Sequence, residues 1–291
     1  MAFDLAEPAV QSRFIAAPDG LKLHVRDYAP VTPEFGLPVI CLHGLTRNAR
    51  DFELVAPRIA SLGRRVLVPD MRGRGGSDRD PDADHYAPAT YVGDVVAVLE
   101  AAKAPRAVFV GTSMGGIISM LLAAMAPGRI AACVLNDVGP VLEEAGLKRI
   151  ASYVGKTAEF ASWDEAARVI AQSQAPAFPD ADGAFWLRFA RRVCVERADG
   201  KVILDYDPAI ARPLASTAAP DMTPLFEALA KSPILVVRGA ISDLLSEEGV
   251  ELMRLVKPDL PAATVPNVGH APTLEEPAAW DAIVEFLARV P

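Results

Sequence analysis

Gly111-Thr112-Ser113-Met114-Gly115 combines a hydroxyl nucleophile with glycines two positions away on either side. Before it, residues 107–110 form an apolar run that reads as a buried strand. After it, residues 114–125 read as a helix. A sharp strand-to-helix turn would hold Ser113 in a strained conformation with its hydroxyl at the carboxyl edge of a sheet. The start of the helix would offer free N–H groups to a developing oxyanion. A serine hydroxyl is a weak nucleophile without a base. Of the four histidines, His270 follows the last expected strand, in Val265-Pro266-Asn267-Val268-Gly269-His270, and is the expected general base. His24 falls in an N-terminal hairpin and His85 in a charged loop, so neither is expected to act.

The base needs an acid that fixes its tautomer and stabilises the imidazolium. Two aspartates compete, each just past the carboxyl end of an expected strand. Asp243 follows residues 234–237, and Asp137 follows residues 130–135. Asp243 is the expected acid and Asp137 the alternative. The non-catalytic reading of Asp243 is a cap on the helix beginning near Ser246. Acyl transfer also needs donors for an oxyanion. The backbone N–H of Met114 is one. The N–H of Leu45 is the other, in the loop His43-Gly44-Leu45-Thr46, where Gly44 lets the backbone approach. The His43 ring is expected to bond to backbone and shape that loop. His43, Gly44, Trp163 and Trp186 are the expected walls of a substrate pocket.

These residues need elements to position them. Residues 12–30 read as a β-hairpin around Pro18-Asp19-Gly20. Apolar runs at 38–42, 65–69, 107–110, 130–135, 233–237 and 263–265 read as buried strands. Helical patterns at 50–62, 90–103, 114–125, 246–256 and 277–290 alternate with them. Such alternation gives a mostly parallel sheet with helices on both faces. Between about 140 and 224 the alternation stops, leaving helical patterns at 142–153, 162–172 and 183–196 and one short extended piece, Lys201-Val202-Ile203-Leu204. Arg188, Arg191 and Arg192 in the third pattern read as a solvated face, with a substrate carboxylate as the alternative partner for one of them.

Composition narrows the function. The chain has 291 residues, 51% of them hydrophobic and 23% charged, enough for a large core without staples. Its net charge of −8 argues against a nucleic-acid partner. The three cysteines, Cys41, Cys133 and Cys194, lie apart in apolar surroundings and form no CxxC, so no metal site and no disulfide framework is expected. The acidic N-terminus shows no apolar leader and no apolar run is long enough to span a bilayer, so a cytoplasmic location and no membrane partner are expected.

Leu42-His43-Gly44, the run from Asp70 to Ser77, Gly111–Gly115, the run from Arg238 to Asp243, and Gly269-His270 together resemble the α/β-hydrolase-fold serine hydrolases. The resemblance implies an eight-stranded, mostly parallel sheet and a helical cap after strand six. A core of residues 1–138 and 226–291 and a cap of 139–225 would follow. It implies no metal and no organic cofactor, and it makes the turn from Asp70 to Ser77 structural. The order Ser113, Asp243, His270 is the order this scaffold uses. A serine nucleophile argues against haloalkane dehalogenases and epoxide hydrolases. The absence of HGGG and HGGPG argues against hormone-sensitive-type esterases and proline iminopeptidases. The expected activity is hydrolysis of small to medium apolar carboxylic esters or lactones through an acyl-enzyme on Ser113. The alternatives are carbon–carbon hydrolysis of a vinylogous keto acid, from whose usual pattern Thr46-Arg47-Asn48 and Ala271 depart, and a non-catalytic ligand-binding role.

Overall fold

In a computed structural model, β1 (Val10–Ala16) and β2 (Lys22–Tyr28) pair antiparallel as the expected hairpin. The structure describes residues 8–31, 33–215 and 221–291. The expectation about a leader at residues 1–7 lies outside them.

The chain then alternates between strand and helix. β3 (Val39–Leu42) leads through a 3₁₀ turn at Ala49–Phe52 to α1 (Val55–Ser61). β4 (Val66–Pro69) leads to α2 (Pro88–Ala101), β5 (Ala107–Thr112) to α3 (Met114–Met125), and β6 (Ile130–Asn136) closes this part. Every residue of β3 to β6 is buried, because helices cover both faces. Alternate residues of β5 serve opposite cores: Ala107 and Phe109 pack into one apolar layer, Val108 and Val110 into the other.

After β6 come α4 (Glu144–Tyr153), β7 (Glu159–Phe160), α5 (Trp163–Gln174), α6 (Gly183–Val193), β8 (Cys194–Glu196) and β9 (Val202–Leu204). The expectation of helices with one extended piece is corrected here. β9 is the centre of a three-stranded antiparallel sheet in the order β7-β9-β8. β7 and β8 are too short for periodicity to reveal, and β8 falls inside the expected third helix. Arg192 does not join a solvated face. It is 5% exposed and meets Glu53 at 3.0 Å and Glu275 at 2.7 Å, bracing α6 against the loops beneath it.

α7 (Thr223–Leu229) packs on α3, and the alternation resumes with β10 (Ile234–Gly239), α8 (Glu247–Val256), β11 (Ala262–Val265) and α9 (Pro277–Leu287). The eight-stranded sheet has the order β1-β2-β4-β3-β5-β6-β10-β11. Pairs from β4 onward are parallel; β1/β2 and β2/β4 are antiparallel. The carboxyl ends of β3, β5, β6, β10 and β11 therefore share one edge, where such sheets bind ligands. Among the described residues, no helix is long and apolar enough to cross a membrane.

Candidate active site

Ser113 occupies the turn between β5 and α3 at φ 51°, ψ −112°, a conformation that side-chain-bearing residues seldom adopt. Its neighbours make the turn possible. A Cβ on Gly115 would stand 2.1 Å from the Leu42 carbonyl oxygen, and one on Gly111 would stand 2.6 Å from the Gly115 carbonyl. The Ser113 N–H donates to the Asn136 carbonyl at 3.0 Å, tying the turn to the end of β6. The Asn136 side-chain amide donates to Thr112 Oγ1 at 3.0 Å and to the Pro272 carbonyl at 2.8 Å. One side chain thus fastens the serine turn to the histidine loop.

His270 lies past β11 and is 8% exposed. Its Nε2 is 3.0 Å from Ser113 Oγ, and its Nδ1 is 2.8 Å from Asp137 Oδ2. A carboxylate only accepts, so Nδ1 carries the proton and Nε2 is left to accept the serine hydroxyl. The loop is held from above, because the Gly269 N–H donates to the Ala177 carbonyl at 2.7 Å.

The expected acid, Asp243, does not reach His270. Its two carboxylate oxygens accept from Arg149 Nε at 2.5 Å and Nη2 at 2.8 Å, and its carbonyl accepts from the Gly146 N–H. The Arg149 guanidinium holds the Asp243 carboxyl below its usual range. Asp243 thus clasps α4 to the loop after β10. The carboxylate that meets His270 is that of Asp137, which is fully buried at φ 55°. Its N–H donates to the Val237 carbonyl at 2.7 Å. Its Oδ1 accepts the Gly239 N–H at 2.8 Å, and its Oδ2 accepts the Ser242 hydroxyl at 2.5 Å besides His270. Because β6 and β10 are adjacent, the two aspartates start from neighbouring strand ends, and the hydrogen-bond partners decide between them.

Leu45 lines the recess at Ser113 and Met114 is the first residue of α3. Among the described residues neither backbone N–H has a protein acceptor. His43 sits below, fully buried, with Nδ1–H donating to the Gly44 carbonyl at 2.8 Å and Nε2 accepting the Met71 N–H at 3.0 Å. Burial pushes its pKa down, which keeps the ring neutral. It shapes the loop, and it does not line the pocket. Arg74, from the turn after β4, adds a support that motif reading gave no role at the site. Arg74 is 1% exposed, and its guanidinium donates to the Leu45 carbonyl at 3.0 Å, to the Arg72 carbonyl and the Tyr91 hydroxyl at 2.8 Å, and approaches Met114 Sδ at 3.7 Å.

Two cavities adjoin, and Ser113 lines the inner one. An inner recess of about 50 Å³ is bounded by Gly44, Leu45, Ser113 and His270. An outer chamber of about 210 Å³ runs under α5, α6 and β9. They share Thr46, Arg47, Tyr153 and Gln174 as walls. Of the four residues expected in the pocket, Gly44 lines it, while His43, Trp163 and Trp186 do not. The Trp163 indole N–H donates to Glu196 at 2.9 Å. Trp186 is buried in a cluster with Phe178, Phe185 and Phe189. Of these rings only Phe189 reaches the chamber. Both tryptophans are expected walls, but neither indole lines either cavity.

Among the described residues, one cluster has cation-binding side chains close together: Asp19, Asp80 and His85. Arg72 already pairs with Asp19 at 2.7 Å and Asp80 at 2.6 Å, and none of the three lines either cavity. The arrangement at Ser113 can accept a carbonyl carbon, move a proton through an imidazole, and present two N–H groups to an oxyanion.

The α/β hydrolase fold family matches residues 38–185. The 3-hydroxybutyrate-oligomer hydrolase of Cupriavidus necator is 35% identical over 250 residues, 82% of this chain and 84% of that protein. The 2-(acetamidomethylene)succinate hydrolase of Mesorhizobium japonicum is 27% identical over 279 residues, 93% of this chain and 92% of that protein. A crystal structure of an α/β hydrolase from Novosphingobium aromaticivorans superposes with a TM-score of 0.90 at 46% identity, covering 97% of this chain and 99% of the other.

Proposed function

The chain belongs to the α/β-hydrolase-fold family, and from that premise we propose that it hydrolyses carboxylic esters through an acyl-enzyme on Ser113. One observation carries the reading: His270 bridges Ser113 Oγ at 3.0 Å and Asp137 at 2.8 Å, with Met114 next in the chain and Leu45 in the wall of the same recess, neither backbone N–H having a protein acceptor among the described residues. Ser113 attacks the ester carbonyl as its proton passes to His270 Nε2. Asp137 stabilises the imidazolium, and the Leu45 and Met114 N–H groups receive the oxyanion. Collapse expels the alcohol, which takes the proton from His270. Water then repeats the cycle on the acyl-enzyme and releases the acid.

The similarity to a hydrolase named for 3-hydroxybutyrate oligomers supports an ester, because such oligomers are chains of carboxylic esters. The inner recess, about 50 Å³, suits a single reacting carbonyl, and the outer chamber suits a short chain attached to it. Lactones present the same carbonyl and belong in the same test. The strained turn at Ser113 argues against a purely binding role, which would have no use for it.

Hydrolysis of p-nitrophenyl esters from acetate to decanoate, beside a lactone panel, tests the reading. Ser113→Ala should lower the rate by about 10⁴-fold or more while the fold persists. A folded Ser113→Ala protein that keeps more than a few per cent of the activity overturns the mechanism. Turnover of ring-cleavage dienoates in place of every ester would move the assignment to carbon–carbon hydrolysis.

A further inference from the structure

We propose that the outer chamber receives a carboxylate, so that the preferred substrates are linear esters carrying a free acid at one end, with Arg47 and Lys156 as the receiving groups. The inference rests on the ester-hydrolase reading above and adds the substrate class.

The charges on the walls point this way. The chain as a whole is acidic, at −8. Yet the ionisable residues lining the outer chamber, apart from its two tyrosines, are Arg47 and Lys156, both cationic. The inner recess adds Asp51 and His270. Asp51 is the partner of Arg47, at 3.1 Å. That single contact leaves most of the guanidinium donors of Arg47 without a side-chain or backbone acceptor among the described residues. The Arg47 guanidinium carbon lies 4.2 Å from the centre of the Phe189 ring, which fixes the fork at the junction of the two cavities.

Lys156 stands at the exposed rim. Its N–H donates to the Tyr153 carbonyl at 3.3 Å, and its carbonyl accepts the Tyr206 hydroxyl at 3.1 Å, so its backbone is pinned between two chamber-lining tyrosines. Among the described residues no carboxylate pairs with its ammonium group. Much of the remaining wall is apolar, with Phe160, Val169, Ile170, Val193 and Leu204 among its residues. An uncharged fatty chain would cover that wall and leave the cations unused. A short chain ending in a carboxylate satisfies both, with charge-assisted hydrogen bonds at its end. Short oligoesters of hydroxy acids and half-esters of dicarboxylic acids have this chemistry.

The experiment compares matched pairs. One pair is p-nitrophenyl hydrogen adipate and its methyl-capped form, with the acid on the acyl side. The other is 3-butyryloxybutanoate and its methyl ester, with the acid on the alcohol side, followed by butyrate release. For the wild type, kcat/KM should favour the acid-ended member of at least one pair by roughly tenfold. Lys156→Gln should shrink that ratio, Lys156→Glu should invert it, and 0.5 M salt should weaken it. Preference for the capped member in both pairs overturns the proposal, and so does a ratio that ignores both Lys156 variants. Failure of the ester reading looks different: neither pair is turned over, or turnover survives Ser113→Ala, and the proposal falls with it.

Discussion

His270 Nδ1 lies 2.8 Å from Asp137 Oδ2, while Asp243, one strand over, gives both its oxygens to Arg149. The two carboxylates therefore do different work at neighbouring strand ends. Asp137→Asn should lower kcat for ester hydrolysis by about 10⁴-fold, because an amide cannot hold the imidazole in its tautomer or balance its charge. Asp243→Asn should change kcat by less than about tenfold and lower the melting temperature instead. Steady-state kinetics on both variants decide the matter. The reverse pattern would return the acid to Asp243.

Arg74 should act through the loop it holds. Its guanidinium has no carboxylate partner among the described residues and donates to the carbonyl of Leu45, a residue that lines the recess. Arg74→Met should let that loop drift and lower kcat by roughly 10- to 100-fold, with KM changed far less. It should also cost about 1–3 kcal/mol of stability, because buried carbonyls and the Tyr91 hydroxyl lose their donor. A stability loss with kcat unchanged would limit Arg74 to a structural part.

Stability should fall as pH falls, for two separate reasons. Burial pushes the His43 pKa below the imidazole range, so the unfolded chain takes up this proton first, and stability declines once pH drops below about 6.5. Arg149 holds the Asp243 carboxyl below its usual range, so the stability it contributes is complete above that range and lost as pH falls through the lowered value. Melting curves from pH 8 to 4 should show the first decline. The gap in melting temperature between wild type and Arg149→Met should be widest near neutral pH and narrow in acid. A gap independent of pH would mean that Arg149 stabilises through packing alone.

The three thiols should be inert in the folded protein. Cys133 and Cys194 are pushed up to about 12 by burial, and Cys41 is raised further by the same cause. Thiolate, the reactive form, is then scarce at neutral pH. Ellman's reagent should read almost no thiol in the native state and all three after denaturation. Fast native labelling of any of them would show that its core opens.

The strand–helix alternation, the turn at Ser113, and the placing of His270 and the Leu45 loop are legible in the chain itself. They depend on local signals: unbroken apolar runs for strands buried on both faces, glycines where a side chain would strike backbone, and loops that follow strands. Which aspartate serves His270 is not local. Asp137 and Asp243 both follow strands at the same sheet edge, and spacing fits either. The choice came from contacts between distant segments: the Gly239 N–H and Ser242 hydroxyl converge on Asp137, and Arg149, from α4, withdraws Asp243. The pocket walls followed the same logic. Trp163 and Trp186 share the aromatic composition of the chamber, but the face each indole presents depends on how α5 and α6 seat on the sheet, and only that packing turned Phe189 inward and the tryptophans away.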